Sequence, residues 1–377
     1  MKVGFDAKRI FHNFRGLGNY SRTLVESLMK HHPENSYTLF TPPFKDRRAL
    51  EWRKRFENLE IVEPVTGLGK ALSSTWRSLM LAPVVKEKGI EIFHGLSHEL
   101  PPGLSKRGIK SIVTIHDLIF LRFPHYFPWV DRQVYLRKVT HAVKNADIVL
   151  AICEQTKRDL KTFLNCPEEK IRVVFQSCHQ SFYSGLKSEE LEEVKKLYSL
   201  PEHYILSVGA IEERKNALSL VQAFSRIKDL IPHDLILIGD GKDYRKKVEK
   251  EILEHGLKDR IRIESEINSD HLPAIYQAAD LFVYPSFFEG WGIPIVEALF
   301  SDTPVITSEG SCFPESGGPG SVYVNPHSVE DIAEKMEKVL FDDDLSASMI
   351  RQGRAHAESF HWKNTSAELI KVYNELL

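Results

Sequence analysis

Short apolar, β-branched runs alternate with longer stretches of helical period along the whole chain. In the first half, runs at 2–6, 36–41, 59–62, 91–94, 111–115, 147–152 and 171–174 predict strands, with helical patterns at 17–31, 128–145 and 154–164. The alternation weakens over 176–200 and restarts at Tyr204-Ile-Leu-Ser-Val-Gly209. Further strands are expected near 233–238, 260–263, 280–284, 304–308 and 321–324. Helices are expected near 216–229, 243–255, 269–278, 293–301, 328–341 and 343–358. Such βα alternation predicts parallel sheets covered by helices on both faces. The chain therefore reads as an α/β protein of two doubly wound domains, 1–180 and 200–361, whose sheets present their carboxyl ends to a shared cleft. The last segment, 362–377, carries Leu369, Val372, Tyr373 and Leu376 on one helical stripe and is expected to pack back on the first domain.

A length of 377 residues suits two cores rather than one, and 42% apolar with 27% charged residues excludes disorder and fibrous repeats. No run reaches the roughly 18 uncharged apolar residues of a membrane helix. The start reads as a strand rather than a secretory leader, and Cys153, Cys166, Cys178 and Cys312 form no CxxC pair, so a cytoplasmic setting with reduced thiols is expected. Net charge is −2, but residues 1–180 hold 29 Lys and Arg against 18 Asp and Glu, leaving the rest strongly acidic. The basic run 45–56, with Trp52 and Phe56, has the composition of a helix that docks transiently on an anionic membrane, here the inner face, although a solvated helix is the commoner outcome. Nucleic acid is not an expected partner.

Candidate chemistry concentrates in Tyr284-Pro-Ser-Phe-Phe-Glu-Gly-Trp-Gly-Ile-Pro-Ile-Val-Glu-Ala-Leu299. Gly290 and Gly292 predict an exposed loop around Trp291, and Pro294 suits the first turn of a helix starting near Ile293. A helix start favours a phosphate or pyrophosphate. Glu289 is placed to accept hydrogen bonds from sugar hydroxyls, and Glu297 to clamp a pair of ribose hydroxyls.

This E-x7-E segment resembles glycosyltransferase family 4, and the resemblance extends over nearly the whole chain through several ordered motifs. It implies the GT-B fold, two Rossmann-like domains facing a central cleft, and a nucleotide-sugar donor with no prosthetic group. Arg214 and Lys215, in Val208-Gly-Ala-Ile-Glu-Glu-Arg-Lys-Asn216, take the family's diphosphate-binding position; Ala210 stands where many members carry arginine. His116, in Ile112-Val-Thr-Ile-His-Asp-Leu118, takes the place of a histidine beside the transferred sugar, with Asp117 orienting it. Gly16 and Gly18 match the loop bordering the leaving phosphate, although the full GxGxxG is absent because residue 21 is serine. Gly239 and Gly241 match a turn on the nucleotide side. Phe175-Gln-Ser-Cys-His179 departs from the family's usual hinge.

The expected reaction is retaining transfer by a front-side route, with His116, Lys215 and Glu289 as the catalytic group and no metal, an expectation drawn from reading no Asp-x-Asp motif anywhere in the chain to bind a divalent ion beside the diphosphate. His-Asp-Leu and the aromatic stretch 120–129 look most like mannosyltransferases using GDP-mannose, with a saccharide or lipid-linked saccharide acceptor. The alternatives are a sugar-nucleotide 2-epimerase on the same fold and a non-catalytic two-domain sugar-binding protein.

Overall fold

The computed structural model describes residues 1–57, 59–64 and 76–377. It divides into two compact units, Met1–Ser177 with Trp362–Leu377, and Cys178–His361. The first contains strands β1 (Lys2–Asp6), β2 (Ser36–Phe40), β3 (Glu60–Val62), β4 (Ile92–Gly95), β5 (Lys110–Ile115), β6 (Ile148–Ala151) and β7 (Ile171–Val173). They form one parallel sheet in the order β3-β2-β1-β4-β5-β6-β7. Successive residues point to opposite faces, so Ile92, Ile112 and Ile148 join one core while Phe93, Val113 and Val149 join the other. The central strands are covered on both faces, which is why Ile148–Ala151 reads as an unbroken apolar run. The helix Trp362–Asn374 lies against the helix Gly16–His31 and adds Leu369, Val372 and Tyr373 to the first of these cores.

The second unit holds β8 (Tyr204–Val208), β9 (Asp234–Ile238), β10 (Ile261–Glu264), β11 (Leu281–Tyr284), β12 (Val305–Ser308) and β13 (Ser321–Val324), parallel in the order β10-β9-β8-β11-β12-β13. In each sheet the strand order reverses beside its first strand, at β1/β4 and at β8/β11. Loops leaving the carboxyl ends of such a pair diverge and open a crevice, the place where ligands bind in this architecture.

The stretch 176–200, where the alternation weakens, holds the helix Ser188–Leu197, begun by the Glu190 carboxylate accepting the Lys187 N–H at 3.0 Å. None of its residues is buried, and its short stripe of Leu191, Val194 and Tyr198 is only partly covered. The basic helix Arg47–Lys54 turns its tryptophan inward. Trp52 is buried edge-on against Phe11, donates to the Glu26 carboxylate, and Phe56 packs on the same core. The aromatics that suggested a membrane-facing helix are core residues. Among the described residues, no helix is long and apolar enough to cross a membrane.

Candidate active site

In the second unit the switch-point loops bring Arg214 and Lys215, which follow β8, onto Glu289, which follows β11. Arg214 Nη1 lies 2.6 Å from Glu289 Oε2, and Lys215 Nζ 2.6 Å from Oε1. Each carboxylate oxygen thus holds a different cation. The Tyr284 hydroxyl donates to Oε1 at 2.9 Å and accepts from Lys215. The backbone is equally constrained: Arg214 Nη1 donates to the Phe288 carbonyl at 2.6 Å, and Phe287 N–H to the Arg214 carbonyl at 2.9 Å. A third loop, after β12, fixes the Glu289 carbonyl through Ser311 Oγ at 3.0 Å. Burial pushes the Glu289 carboxyl upward, but Arg214 and Lys215 outweigh it and hold the group at about 2. Arg214, facing Glu289 and Glu212, has its pKa raised despite burial. Arg214 and Lys215 are balanced by Glu289 and by the more exposed Glu212, carboxylates that a phosphate can replace as partner of these two cations.

The helix following Glu289 runs Ile293–Phe300 with Pro294 in its first turn. Gly292 precedes it with φ at +119°, a conformation few side chains tolerate, and a Cβ there would lie 3.0 Å from Ile295 and 3.2 Å from Ser316. The loop is less open than expected. Gly292 is buried, and Trp291 packs edge-on against Phe360 with ring centroids 5.0 Å apart. The Trp291 side chain is therefore a core anchor for the loop rather than a nucleotide contact. Glu297 sits one turn into the helix and accepts from the Tyr276 hydroxyl at 3.1 Å. Burial lifts its carboxyl to about 7, and the Tyr276 hydrogen bond offsets only part of that. Gly239 and Gly241 have a packing reason for lacking side chains: a Cβ at 239 would fall 1.9 Å from the Gly209 carbonyl, and one at 241 2.2 Å from that of Ile211. They let the loops after β8 and β9 touch.

The first unit places His116 just beyond β5. Nε2 lies 2.9 Å from the Leu96 carbonyl, which only accepts, so Nε2 carries the proton; Nδ1 then accepts from the Gln176 amide at 2.7 Å. The ring stacks on His98 at 5.3 Å and meets the edge of Tyr20 at 4.7 Å. Burial, reinforced by His98, drives His116 down to about 3. His116 is thus a neutral imidazole with both nitrogens engaged, which corrects the picture of a histidine oriented by its neighbour: the Asp117 carboxylate instead accepts the Ile119 N–H at 3.0 Å. Gly16 opens the helix Gly16–His31 and is exposed, whereas a Cβ at Gly18 would strike the Asn13 carbonyl at 1.7 Å. This Gly-x-Gly is the first turn of a helix, not a loop before one.

Residues that sequence reading missed cluster at the same edge of the first sheet. His98, with φ at +61°, accepts the His116 N–H at 3.0 Å. Arg77 joins Asp6, at the end of β1, to Glu99 at 2.8 Å. Only Asp6, closing the first strand ahead of the glycine turn, had a position that could have drawn attention. One Asp-x-Asp string does occur, contrary to expectation: Asp342-Asp343-Asp344. Asp342 caps the helix Asp343–Ala357 by accepting the Leu345 N–H at 2.9 Å, which gives the string a structural reason.

Residues 188–356 match the family model described as glycosyl transferases group 1, and residues 14–176 match glycosyltransferase family 4. The O-antigen chain mannosyltransferase B of Escherichia coli is 26% identical over 403 residues, covering 100% of both chains. Sucrose-phosphate synthase from Thermosynechococcus elongatus superposes with a TM-score of 0.79 at 19% identity, over 100% of this chain and 99% of that one. Anabaena HepE in complex with UDP and glucose does so with a TM-score of 0.77 at 16% identity, over 100% of both. These relatives favour transfer over 2-epimerisation and over sugar binding without chemistry.

Proposed function

The chain belongs to the family 4 glycosyltransferases of GT-B fold, and on that premise we propose that it moves mannose from GDP-mannose to a saccharide or lipid-linked saccharide of a surface polysaccharide, with retention and without a catalytic metal. The carrying observation is the convergence of Arg214 and Lys215 on Glu289 beside the start of the helix Ile293–Phe300. In the proposed step the bond from the anomeric carbon to the diphosphate oxygen lengthens first. The acceptor hydroxyl attacks from the same face and passes its proton to the departing phosphate oxygen. Arg214 and Lys215 meet the charge growing on that phosphate, a task worth roughly 10²–10³ in rate per well-placed donor. His116, neutral and with both ring nitrogens engaged, ties Leu96 to Gln176 within the first unit and transfers no proton. The mannose assignment is supported by the name of the full-length Escherichia coli relative. A melting panel of GDP-, UDP- and ADP-sugars tests it: GDP-mannose is expected to raise the melting temperature most, and stabilisation by a UDP-sugar alone would contradict the donor assignment.

Glu297 makes a second prediction. A ribose clamp needs the carboxylate, and a carboxyl titrating near 7 loses it as pH falls. Donor affinity is therefore expected to be roughly tenfold weaker at pH 6 than at pH 8, while Glu297→Gln binds weakly and without pH dependence. A flat profile in the parent protein would remove the clamp.

Contact with an anionic membrane is best supported on the helix Trp129–Asn145. Trp129 and Val130 are 65% and 63% exposed, Val134 and Tyr135 are exposed beside them, and Arg137 and Lys144 stand on the same helix. Sedimentation with anionic vesicles, released by salt and lost in Trp129→Ser, is the expected behaviour; binding unaffected by Trp129→Ser would exclude this helix.

A further inference from the structure

His203, His233 and Asp280 each stand one residue ahead of a strand, and the strands are β8, β9 and β11, three neighbours at the centre of the second sheet. Parallel pairing sets Tyr204 opposite Asp234 and Leu281 opposite Ile205, so the three residues meet at the amino-terminal edge. Their backbones are fixed there. Asp234 N–H donates to the His203 carbonyl at 3.1 Å, Asp280 N–H to the Tyr204 carbonyl at 3.0 Å, and Tyr204 N–H to Asp280 Oδ2 at 2.9 Å.

His203 Nδ1 lies 3.4 Å and His233 Nε2 3.5 Å from that same Asp280 Oδ2, and all three residues offer ligand atoms within 4.8 Å of one another. These separations exceed the roughly 2.7–3.2 Å of hydrogen bonds from nitrogen to oxygen. The two separations from Asp280 match an edge of a zinc tetrahedron, where bonds of about 2.0–2.1 Å put ligand atoms about 3.3–3.4 Å apart, and the two histidine nitrogens lie within 4.8 Å of each other, a gap that rotation of the imidazoles closes. His233 turns its Nε2 toward Asp280 Oδ2. Its Nδ1 has no hydrogen-bond partner, so no contact inside the protein forces the proton onto Nε2. The nearest cation does not compete: Arg260 is held by Asp234 at 2.9 Å and by the carbonyls of Ile231 and His233. His203 and Asp280 are partly exposed, which gives an ion entry and leaves the fourth position for water.

We propose that His203, His233 and Asp280 bind one zinc ion that ties together the three central strands of the second unit. The site lies at the opposite end of these strands from Arg214, Lys215 and Glu289, roughly 16 Å away along a five-residue strand. It therefore acts on stability and not on sugar transfer, and its test does not depend on the transferase reading.

The full-length protein, stripped with EDTA and dialysed, is titrated with zinc chloride by calorimetry and followed by thermal melting, with cobalt as a spectroscopic substitute. One zinc per chain, a raised melting temperature and the intense visible bands of tetrahedral cobalt are expected. His203→Ala, at a partly exposed position, should weaken zinc binding by more than about 100-fold and abolish the rise in melting temperature while leaving the transfer rate unchanged. Asp280→Asn, close to isosteric, should do the same. Zinc affinity unchanged in both variants, no zinc bound by the parent, or weak octahedral cobalt bands would each overturn the site.

Discussion

Glu289→Gln is expected to lower turnover by roughly 10²–10³-fold while nucleoside diphosphate binding stays as tight or becomes tighter. The glutamate oxygens each hold a cation at 2.6 Å, and an amide of the same shape presents one of those positions as N–H, which repels rather than attracts. Arg214, which keeps Glu212, and Lys215 are then left half-buried without their shared counter-charge, and the variant is expected to melt lower than the parent. A diphosphate supplies the missing negative charge, so it should restore more of the melting temperature in the variant than it adds to the parent. Turnover suffers because the cations lose the support that aims them and the sugar loses its acceptor. Steady-state kinetics beside calorimetry with a nucleoside diphosphate read both effects. Turnover close to that of the parent would move the sugar site elsewhere.

Lys215→Ala is expected to behave differently, lowering kcat/KM by about 2.7–4 kcal/mol and weakening diphosphate binding with it. Lys215 touches Glu289 and the Tyr284 hydroxyl, so its position is set from two sides. Such a held ammonium needs little reorganisation when charge appears on the leaving group. Opposite effects of the two variants on diphosphate affinity would show a carboxylate that aims the cations and a cation that binds the phosphate. A kinetic loss below about threefold in Lys215→Ala would take away its role.

The central strands were legible because they are buried on both faces: Leu235-Ile-Leu-Ile238 and Leu281-Phe-Val-Tyr284 leave no polar position to break the run. The E-x7-E segment was legible because its parts are neighbours in the chain. The Arg214–Glu289 pair, 75 positions apart, was not, since it exists only because β8 and β11 are adjacent at the order reversal. Residue type also misled where packing decided the outcome. Trp52 in a basic run and Trp291 in a glycine loop both turned inward, because a large ring gains more against Phe11 or Phe360 than in water. His116 carries a related lesson: a histidine at a strand end suggests titration, but its full enclosure by Leu96, Gln176, Tyr20 and His98 removes the charged form from the working range. His203, His233 and Asp280 carry no spacing signal, and only strand register brings them together.

A crystal structure of the protein with a nucleoside diphosphate tests the central assignment most directly. The phosphates should lie within hydrogen-bond reach of Lys215 and Arg214 at the start of the helix Ile293–Phe300. A diphosphate bound at any other place, with both cations still closed on Glu289, would contradict it.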